Sequence, residues 1–291
     1  MRGVRTLANL RYGPATAGNL LDLHLPEPGD GPAPVVIWSS GSGWLADNGK
    51  EGAALVAPFF VERGYAVAGV SVRSSAQATF PAQLEDVRAA VGWLREHAPE
   101  HGLDAGRIAA MGNSSGGWVA VMAGLHAGVR AVVDFYGPTD FLQMDAHMLD
   151  GGAEFDAFLG IRGGHAHQGS PESRLVGGPI GEHREECERA NPITYVRPGA
   201  PPMLILHGQA DQFVPHHQSE LLFAALKANR NDATFYSLPG GRHEHPYVTD
   251  ASLAPGYVVR ETRGGEERVV EGAPPPTWET VEAFLGRTLT G

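Results

Sequence analysis

Apolar residues along the chain follow two periodicities, one typical of buried strands and one typical of helices. Several short segments are continuously apolar, as expected of strands that are covered on both faces. The predicted strands are 20–25, 34–38, 66–72, 107–111, 130–135, 203–207 and, as the last strand, 233–238. Helical spacing lies between them, so the pattern predicts an α/β fold with a mostly parallel central sheet flanked by helices.

The predicted helices have apolar residues three or four positions apart on one face. They are 81–97, 117–123, 221–226 and 278–285. Pro81 suits a first helical turn, where a missing N–H costs nothing. We interpret these apolar faces as core, not as cofactor sites.

Two long segments, 137–202 and 246–276, interrupt the alternation of strands and helices. Connections of that length are usually lids or binding loops. Within the first, residues 144–159 have a pattern that allows a helix. We therefore expect one domain, 1–291, in which the first segment is a cap-like insertion.

The second segment contains a predicted exposed hairpin. Residues 256–262 and 267–271 read as its strands, and Gly264 and Gly265 join them. The hairpin is expected to form an edge of a pocket or a contact between two copies, so a homodimer is one expectation.

The formal net charge is −11 at pH 7. Nucleic acids and anionic membranes both attract basic surfaces, so we expect neither as a partner. The lone cysteine, Cys187, stands among glutamates, which disfavour a thiolate, and we do not assign it as a nucleophile. A single cysteine, no long apolar segment in residues 1–7 and no membrane-length apolar run predict a cytoplasmic protein.

Residues 112–116 read Gly-Asn-Ser-Ser-Gly and lie between a predicted strand and a predicted helix. A Gly-x-Ser-x-Gly turn in that context exposes its serine on a strained backbone and predicts Ser114 as a nucleophile. The alternative is an ordinary strand-to-helix turn that contains serine.

A serine nucleophile needs a base and an acid that orients the base. Asp211 follows the strand 203–207, and His243 follows the strand 233–238, so the chain supplies the order Ser, Asp, His. Asp211 is also a common residue type for a helix cap or loop turn, and His245 competes with His243 as the base.

A tetrahedral intermediate also needs donors for its oxyanion. The turn 39–44 follows the strand 34–38, and the backbone N–H groups of Gly41 and Ser42 are candidate donors together with that of Ser115. The alternative is a flexible Gly/Ser turn.

Beyond these residues, the segments 80–91, 136–140, 170–178 and 190–196 are similar to the α/β-hydrolase superfamily of serine esterases. The chain most resembles the feruloyl or acetyl-xylan esterase-like branch, which is hormone-sensitive-lipase-like. The resemblance implies an α/β-hydrolase fold and hydrolysis of a small or aromatic carboxylic ester through an acyl-enzyme. It also implies that no metal or organic cofactor takes part.

The chain departs from that family in its oxyanion loop, which usually reads His-Gly-Gly-Gly-Trp. Here Ser40 replaces the histidine and Ser42 replaces the middle glycine. Ser42 is expected to restrict φ and to offer an extra donor. Some superfamily members place the acid where Asp140 stands, so Asp140 is a reserve candidate.

Other histidines are assigned to the surface. His165 and His167 have metal-ligand spacing without an evident third ligand, and a surface loop is the preferred interpretation. His216 and His217 begin a predicted helix. Two rival functions stay open: an acyltransferase, thioesterase or peptidase that uses the same three residues, and a non-catalytic binding protein.

Overall fold

A computed structural model of the chain describes residues 4–14, 18–29 and 31–289, so the prediction for residues 1–7 falls partly outside it. The described residues form ten strands in one sheet. The strands are β1 (Arg5–Arg11), β2 (Leu20–Leu25), β3 (Ala33–Ser39), β4 (Ala66–Val70), β5 (Leu103–Asn113), β6 (Ala131–Phe135), β7 (Met203–Gly208), β8 (Ala233–Leu238), β9 (Val258–Arg263) and β10 (Glu266–Val269). Their order is β1-β2-β4-β3-β5-β6-β7-β8-β9-β10.

The six central strands, from β4 across to β8, are parallel, and the outer pairs are antiparallel. Side chains of β3 alternate between two cores. Val35 and Ile37 pack into one of them, whereas Val36 and Trp38 pack into the other. Burial on both faces explains the continuous apolar segments, and the predicted α/β fold is confirmed.

The helices cover both faces of this sheet. They are α1 (Ala53–Val61), α2 (Ala82–Glu96), α3 (Ala98–His101), α4 (Ser115–His126), α5 (Ala153–Leu159), α6 (Pro171–Val176), α7 (Arg184–Ala190), α8 (His217–Ala228) and α9 (Trp278–Leu289). Helices α2, α4 and α8 pack on one face, and α1 and α9 pack on the other. Within the three described ranges, none of the helices combines the length and apolar character that crossing a membrane requires.

The sheet extends beyond both predicted ends. β1 adds an edge strand that the pattern did not predict, and β8 is not the last strand, because β9 pairs with it antiparallel. The predicted hairpin is therefore part of the central sheet, with Val259 and Thr262 buried. The predicted hairpin itself is present as β9 and β10, but the charged Arg260, Glu261 and Arg263 give no sign that β9 also pairs with β8.

The predicted helix at 144–159 is only half present. Its second half is α5, whereas Asp145–His147 and Leu149–Gly152 are short 3₁₀ turns. Asp150 and Gly151 have φ of 49° and 61° there, a left-handed conformation that a continuous helix does not allow.

Candidate active site

Ser114 lies between the end of β5 and the start of α4, with φ 56° and ψ −127°. This strained turn needs small neighbours. A Cβ on Gly116 would lie 1.9 Å from the carbonyl oxygen of Ser39, and one on Gly112 would lie 2.3 Å from that of Gly116. Both glycines are therefore required for the strand, the turn and the helix to approach one another.

The three residues predicted as nucleophile, base and acid form one hydrogen-bonded chain. His243 Nε2 lies 2.9 Å from Ser114 Oγ, and His243 Nδ1 lies 2.7 Å from Asp211 Oδ2. The fold brings them together because β5, β7 and β8 are parallel and their carboxyl ends share one edge of the sheet. The arrangement can take a proton from the serine hydroxyl.

The Asp211 carboxylate is buried and held from several directions. Its Oδ1 accepts hydrogen bonds from the N–H groups of Phe213 at 2.8 Å and Val214 at 2.9 Å. Burial alone would raise the pKa of Asp211, but the charge of His243 and the hydrogen bonds from His207 and His243 keep it well below its ordinary value. Asp211 is therefore ionised when it faces the imidazole.

His207 is also part of this site, although it was not among the residues predicted from the sequence. Its Nε2 lies 3.3 Å from Asp211 Oδ2, and its Nδ1 lies 2.7 Å from Ser219 Oγ. The side chain is fully buried at the end of β7. The sequence holds one sign of this role, because His207 ends a buried strand and stands four residues before the candidate acid.

The competing base and the reserve acid are both engaged elsewhere. His245 Nδ1 lies 2.6 Å from Tyr136 Oη, and burial together with the charge of His243 lowers the pKa of His245 to about 4. Asp140 accepts hydrogen bonds from the Leu142 N–H and the Asn191 side chain. Among the described residues, no hydrogen bond links either of them to Ser114 or His243.

The oxyanion loop is fastened by the residues on either side of Ser114. The N–H groups of Ser42 and Gly43 donate to Ser115 Oγ at 2.9 and 3.0 Å. The N–H of Gly41 donates to Asn113 Oδ1 at 3.2 Å. The N–H of Ser115 has no hydrogen-bond acceptor within the described ranges. The loop lies against the nucleophile, with two of the three predicted donors engaged by side chains.

The two serine replacements in this loop cause no strain. Positive φ falls on Gly43 at 59° and Trp44 at 54°, not on Ser42. The Ser42 hydroxyl donates to the carbonyl oxygen of Ala46 at 3.0 Å, so it does not add the expected donor. Ser40 Oγ accepts a hydrogen bond from Trp38 Nε1 at 2.9 Å.

A cavity of about 400 Å³ opens beside Ser114 and His243. Most of its wall is apolar, and α5 supplies Phe155, Phe158 and Leu159. Phe158 is 73% exposed, so it stands at the mouth. The cavity can hold the apolar part of a small ligand next to the serine.

One of the histidines assigned to the surface is not there. His165 is buried, because its ring stacks on Phe155 with 4.0 Å between ring centroids. His216 is half-buried and stacks on Phe235. His167 and His217 are half-buried as well, the latter bonded to Glu220.

Cys187 is also buried. Burial and the nearby Glu186 carboxylate raise the pKa of its thiol to about 12, which disfavours the thiolate as expected. In the part of the chain that the structure describes, no three His, Cys, Asp or Glu side chains are grouped so that they could hold a metal ion.

Comparisons with known proteins agree on one group of enzymes. The family model described as BD-FAE matches residues 21–226. Esterase LipQ of Mycobacterium tuberculosis is 29% identical over 253 residues, which are 81% of this chain and 56% of LipQ. Isoprenylcysteine alpha-carbonyl methylesterase ICME of Arabidopsis thaliana is 25% identical over 249 residues, 80% of this chain and 55% of ICME. The chain thus spans about half the length of these curated relatives.

Solved structures show the same likeness. A truncated carbohydrate esterase from gut microbiota superposes with a TM-score of 0.70 at 29% identity, covering 82% of this chain and 89% of that one. A bifunctional GH43-CE protein of Bacteroides eggerthii superposes with a TM-score of 0.74 at 30% identity. The match covers 85% of this chain and 37% of the Bacteroides eggerthii chain.

Proposed function

The chain belongs to the BD-FAE family of α/β-hydrolase esterases, and we propose that it is a serine carboxylesterase. Its substrate is a small or aromatic carboxylic ester. The observation that carries the proposal is the hydrogen-bonded chain from Ser114 through His243 to Asp211, which opens onto an apolar cavity. A non-catalytic binding protein has no need of three connected residues in that order.

In the proposed reaction, Ser114 Oγ attacks the carbonyl carbon of the ester while His243 Nε2 takes the serine proton. The tetrahedral intermediate collapses, and His243 returns that proton to the departing alcohol. Water, deprotonated by His243, then attacks the acyl carbon. The bond to Ser114 Oγ breaks as His243 returns the proton to that oxygen, and the carboxylic acid leaves. Ionised Asp211 keeps the proton of His243 on Nδ1 and stabilises the imidazolium.

The oxyanion is stabilised from the opposite side of Ser114. The Ser115 N–H has no acceptor among the described residues and can donate to the oxyanion. The Ser115 hydroxyl accepts the Ser42 and Gly43 amides, and two such bonds make a hydroxyl a stronger donor. We propose that the loop stabilises the oxyanion through this hydroxyl. It accepts hydrogen bonds from both amide N–H groups and donates its own hydrogen to the carbonyl oxygen of the ester.

The surroundings of the enzyme are also proposals. A single buried cysteine suits a reducing compartment, so we propose the cytoplasm. With a net charge of −11, the partner is a small ester and neither a nucleic acid nor a membrane surface. The homodimer stays a prediction. β9 and β10 do not line the cavity beside Ser114, so the hairpin's role at a pocket edge gains no support.

The proposal is tested by hydrolysis of p-nitrophenyl esters from acetate to decanoate. We expect turnover by the wild type, with short acyl chains preferred because the cavity is small. Ser114→Ala should abolish turnover, whereas Ser252→Ala, at an exposed serine, should not change it. No turnover of any ester by folded wild type, or unchanged turnover by folded Ser114→Ala, would contradict the proposal.

A further inference from the structure

One carboxylate stands in the apolar wall of the cavity beside Ser114. Glu172, on α6, lines the cavity together with Phe155 and Pro171 and is only 3% exposed. Among the described lining residues it is the one acidic side chain. A buried carboxylate is costly unless it is paired, so its presence in this wall needs a reason.

Glu172 is paired with a buried histidine from the cap-like insertion. Its Oε2 lies 2.7 Å from His165 Nδ1, and the His165 ring is fixed against Phe155. The second carboxylate oxygen, Oε1, has no hydrogen-bond partner within the described ranges. One oxygen is therefore anchored, and the other is left for a ligand.

The histidine is itself held rigidly. The backbone N–H of His165 donates to Asp145 Oδ1 at 2.7 Å. Its carbonyl oxygen accepts hydrogen bonds from the hydroxyls of Ser170 at 2.7 Å and Ser173 at 3.1 Å. A binding group supported in this way loses little freedom when a ligand arrives.

The carboxylates around His165 favour its protonated form. Burial alone would lower the pKa of His165, but the carboxylates of Glu172 and Asp145 raise it above its ordinary value. A protonated His165 beside Glu172 makes a pair without net charge. Such a pair still accepts a hydrogen bond, but it does not supply the full counter-charge that a buried ammonium group would need.

We propose that Glu172 accepts a hydrogen bond from a neutral hydroxyl group of the bound ester and so selects hydroxylated esters over hydrocarbon ones. This inference rests on the proposed esterase function. The hydroxyl belongs either to the acyl chain or to the alcohol, and both sources present the same chemistry to Glu172. Glu172 is a specificity-determining residue that the triad chemistry does not require.

The test compares kcat/KM for two matched pairs of esters. Methyl butyrate and methyl 3-hydroxybutyrate differ by a hydroxyl on the acyl side, and ethyl acetate and 2-hydroxyethyl acetate differ by one on the alcohol side. Glu172→Gln should lower kcat/KM for the hydroxylated member of one pair by about tenfold, because a hydrogen bond to a charged acceptor is lost. The hydrocarbon member should change by less than about twofold.

Two further variants make the result specific. Glu186→Gln is the matched control, because Glu186 also faces a histidine, His183, but on the surface. It should leave the ratio of kcat/KM between the two members of each pair unchanged. If Glu172→Gln does not fold, the double variant His165→Leu/Glu172→Leu replaces the pair by apolar side chains, an exchange that is often neutral for stability. It should show the same selective loss.

Three results would overturn the inference. One is an equal fall for both members of each pair, which indicates a purely structural role. Another is a wild type that prefers the hydrocarbon member about tenfold in both pairs. That preference is expected of a cavity wall that offers the hydroxyl no hydrogen-bond partner. The third is a stronger preference for methyl 3-aminobutyrate than for the 3-hydroxy ester. Absence of all turnover by the wild type would instead refute the esterase function itself.

Discussion

His243 and Asp211 reach Ser114 from the ends of neighbouring parallel strands, whereas the oxyanion loop on the other side is held by side chains next to Ser114 itself. On the first side, β7 and β8 fix the spacing of acid and base. On the second, Ser115 Oγ and Asn113 Oδ1 accept three successive backbone N–H groups. The base side thus depends on the topology of the sheet, and the oxyanion side depends on two small side chains.

This difference means that the two sides fail in different ways. Loss of a group on the base side stops proton transfer while the sheet stays intact. Loss of a side chain on the oxyanion side leaves proton transfer in place and weakens only the stabilisation of the transition state. Variants on the two sides therefore distinguish these two kinds of failure.

The largest effect is expected for the base. His243→Ala leaves Ser114 without a proton acceptor, and kcat should fall by about 10⁴-fold or more with little change in KM. Steady-state hydrolysis of a p-nitrophenyl ester measures this loss of kcat. If His245 were the base, His243→Ala would keep substantial turnover and His245→Ala would lose it.

The next effect is expected for the acid. Asp211→Asn keeps the shape of the side chain but no longer stabilises the imidazolium or fixes its tautomer, so kcat should fall by about 10³- to 10⁴-fold. The same assay measures this change, with Asp140→Asn as the matched control for loss of a carboxylate. Equal losses in the two variants would mean that Asp211 has no special role.

A smaller effect is expected on the oxyanion side. Ser115→Ala removes the acceptor of the Ser42 and Gly43 amides, and we expect kcat to fall by about 10- to 100-fold while KM changes little. Ser115→Thr, which keeps the hydroxyl, should restore most of the loss. A Ser115→Ala enzyme as fast as the wild type would show that the hydroxyl does not support the loop's function.

The smallest effect concerns the pH dependence of folding stability that His245 causes. The pKa of His245 is lowered to about 4 from an ordinary value of about 6.5, so the folded protein binds fewer protons there than the unfolded chain between those values. Its contribution to stability is complete above pH 6.5 and is lost as the pH falls towards 4.

His245→Asn removes this titration. Between pH 7 and pH 5, the free energy of unfolding of the variant should fall by about 1–2 kcal/mol less than that of the wild type. Urea unfolding at both pH values measures the difference. His216 and Asp134 also have shifted pKa values, but they are present in both proteins and cancel in the comparison. Parallel pH profiles would contradict the account of His245.

The sequence predicts the base side better than the oxyanion side, for a physical reason. Continuous apolar segments identify parallel strands, and a parallel sheet collects the residues that follow its strands at one edge. Ser114, Asp211 and His243 could therefore be grouped without coordinates. His207 could not, because a buried strand histidine looks like core until its neighbour is known.

The oxyanion loop follows no periodicity. Whether an N–H faces a ligand or Ser115 Oγ depends on a few degrees of backbone rotation, and hydropathy holds no information about it. The same applies to the His165–Glu172 pair, which lies in the segment 137–202, where the pattern predicts a helix over 144–159 of which only α5 is present. The sequence predicts β9 as a hairpin strand but not its pairing with β8, because the charged residues of β9 suggest an exposed position.

The most direct test of the central claim, that His243 activates Ser114 as the nucleophile, is labelling with an alkyl fluorophosphonate followed by peptide mass mapping. We expect one adduct per chain, located on Ser114, formed rapidly by the wild type and very slowly by His243→Ala. An adduct on Ser115 or another serine, or equally fast labelling of both proteins, would contradict the account.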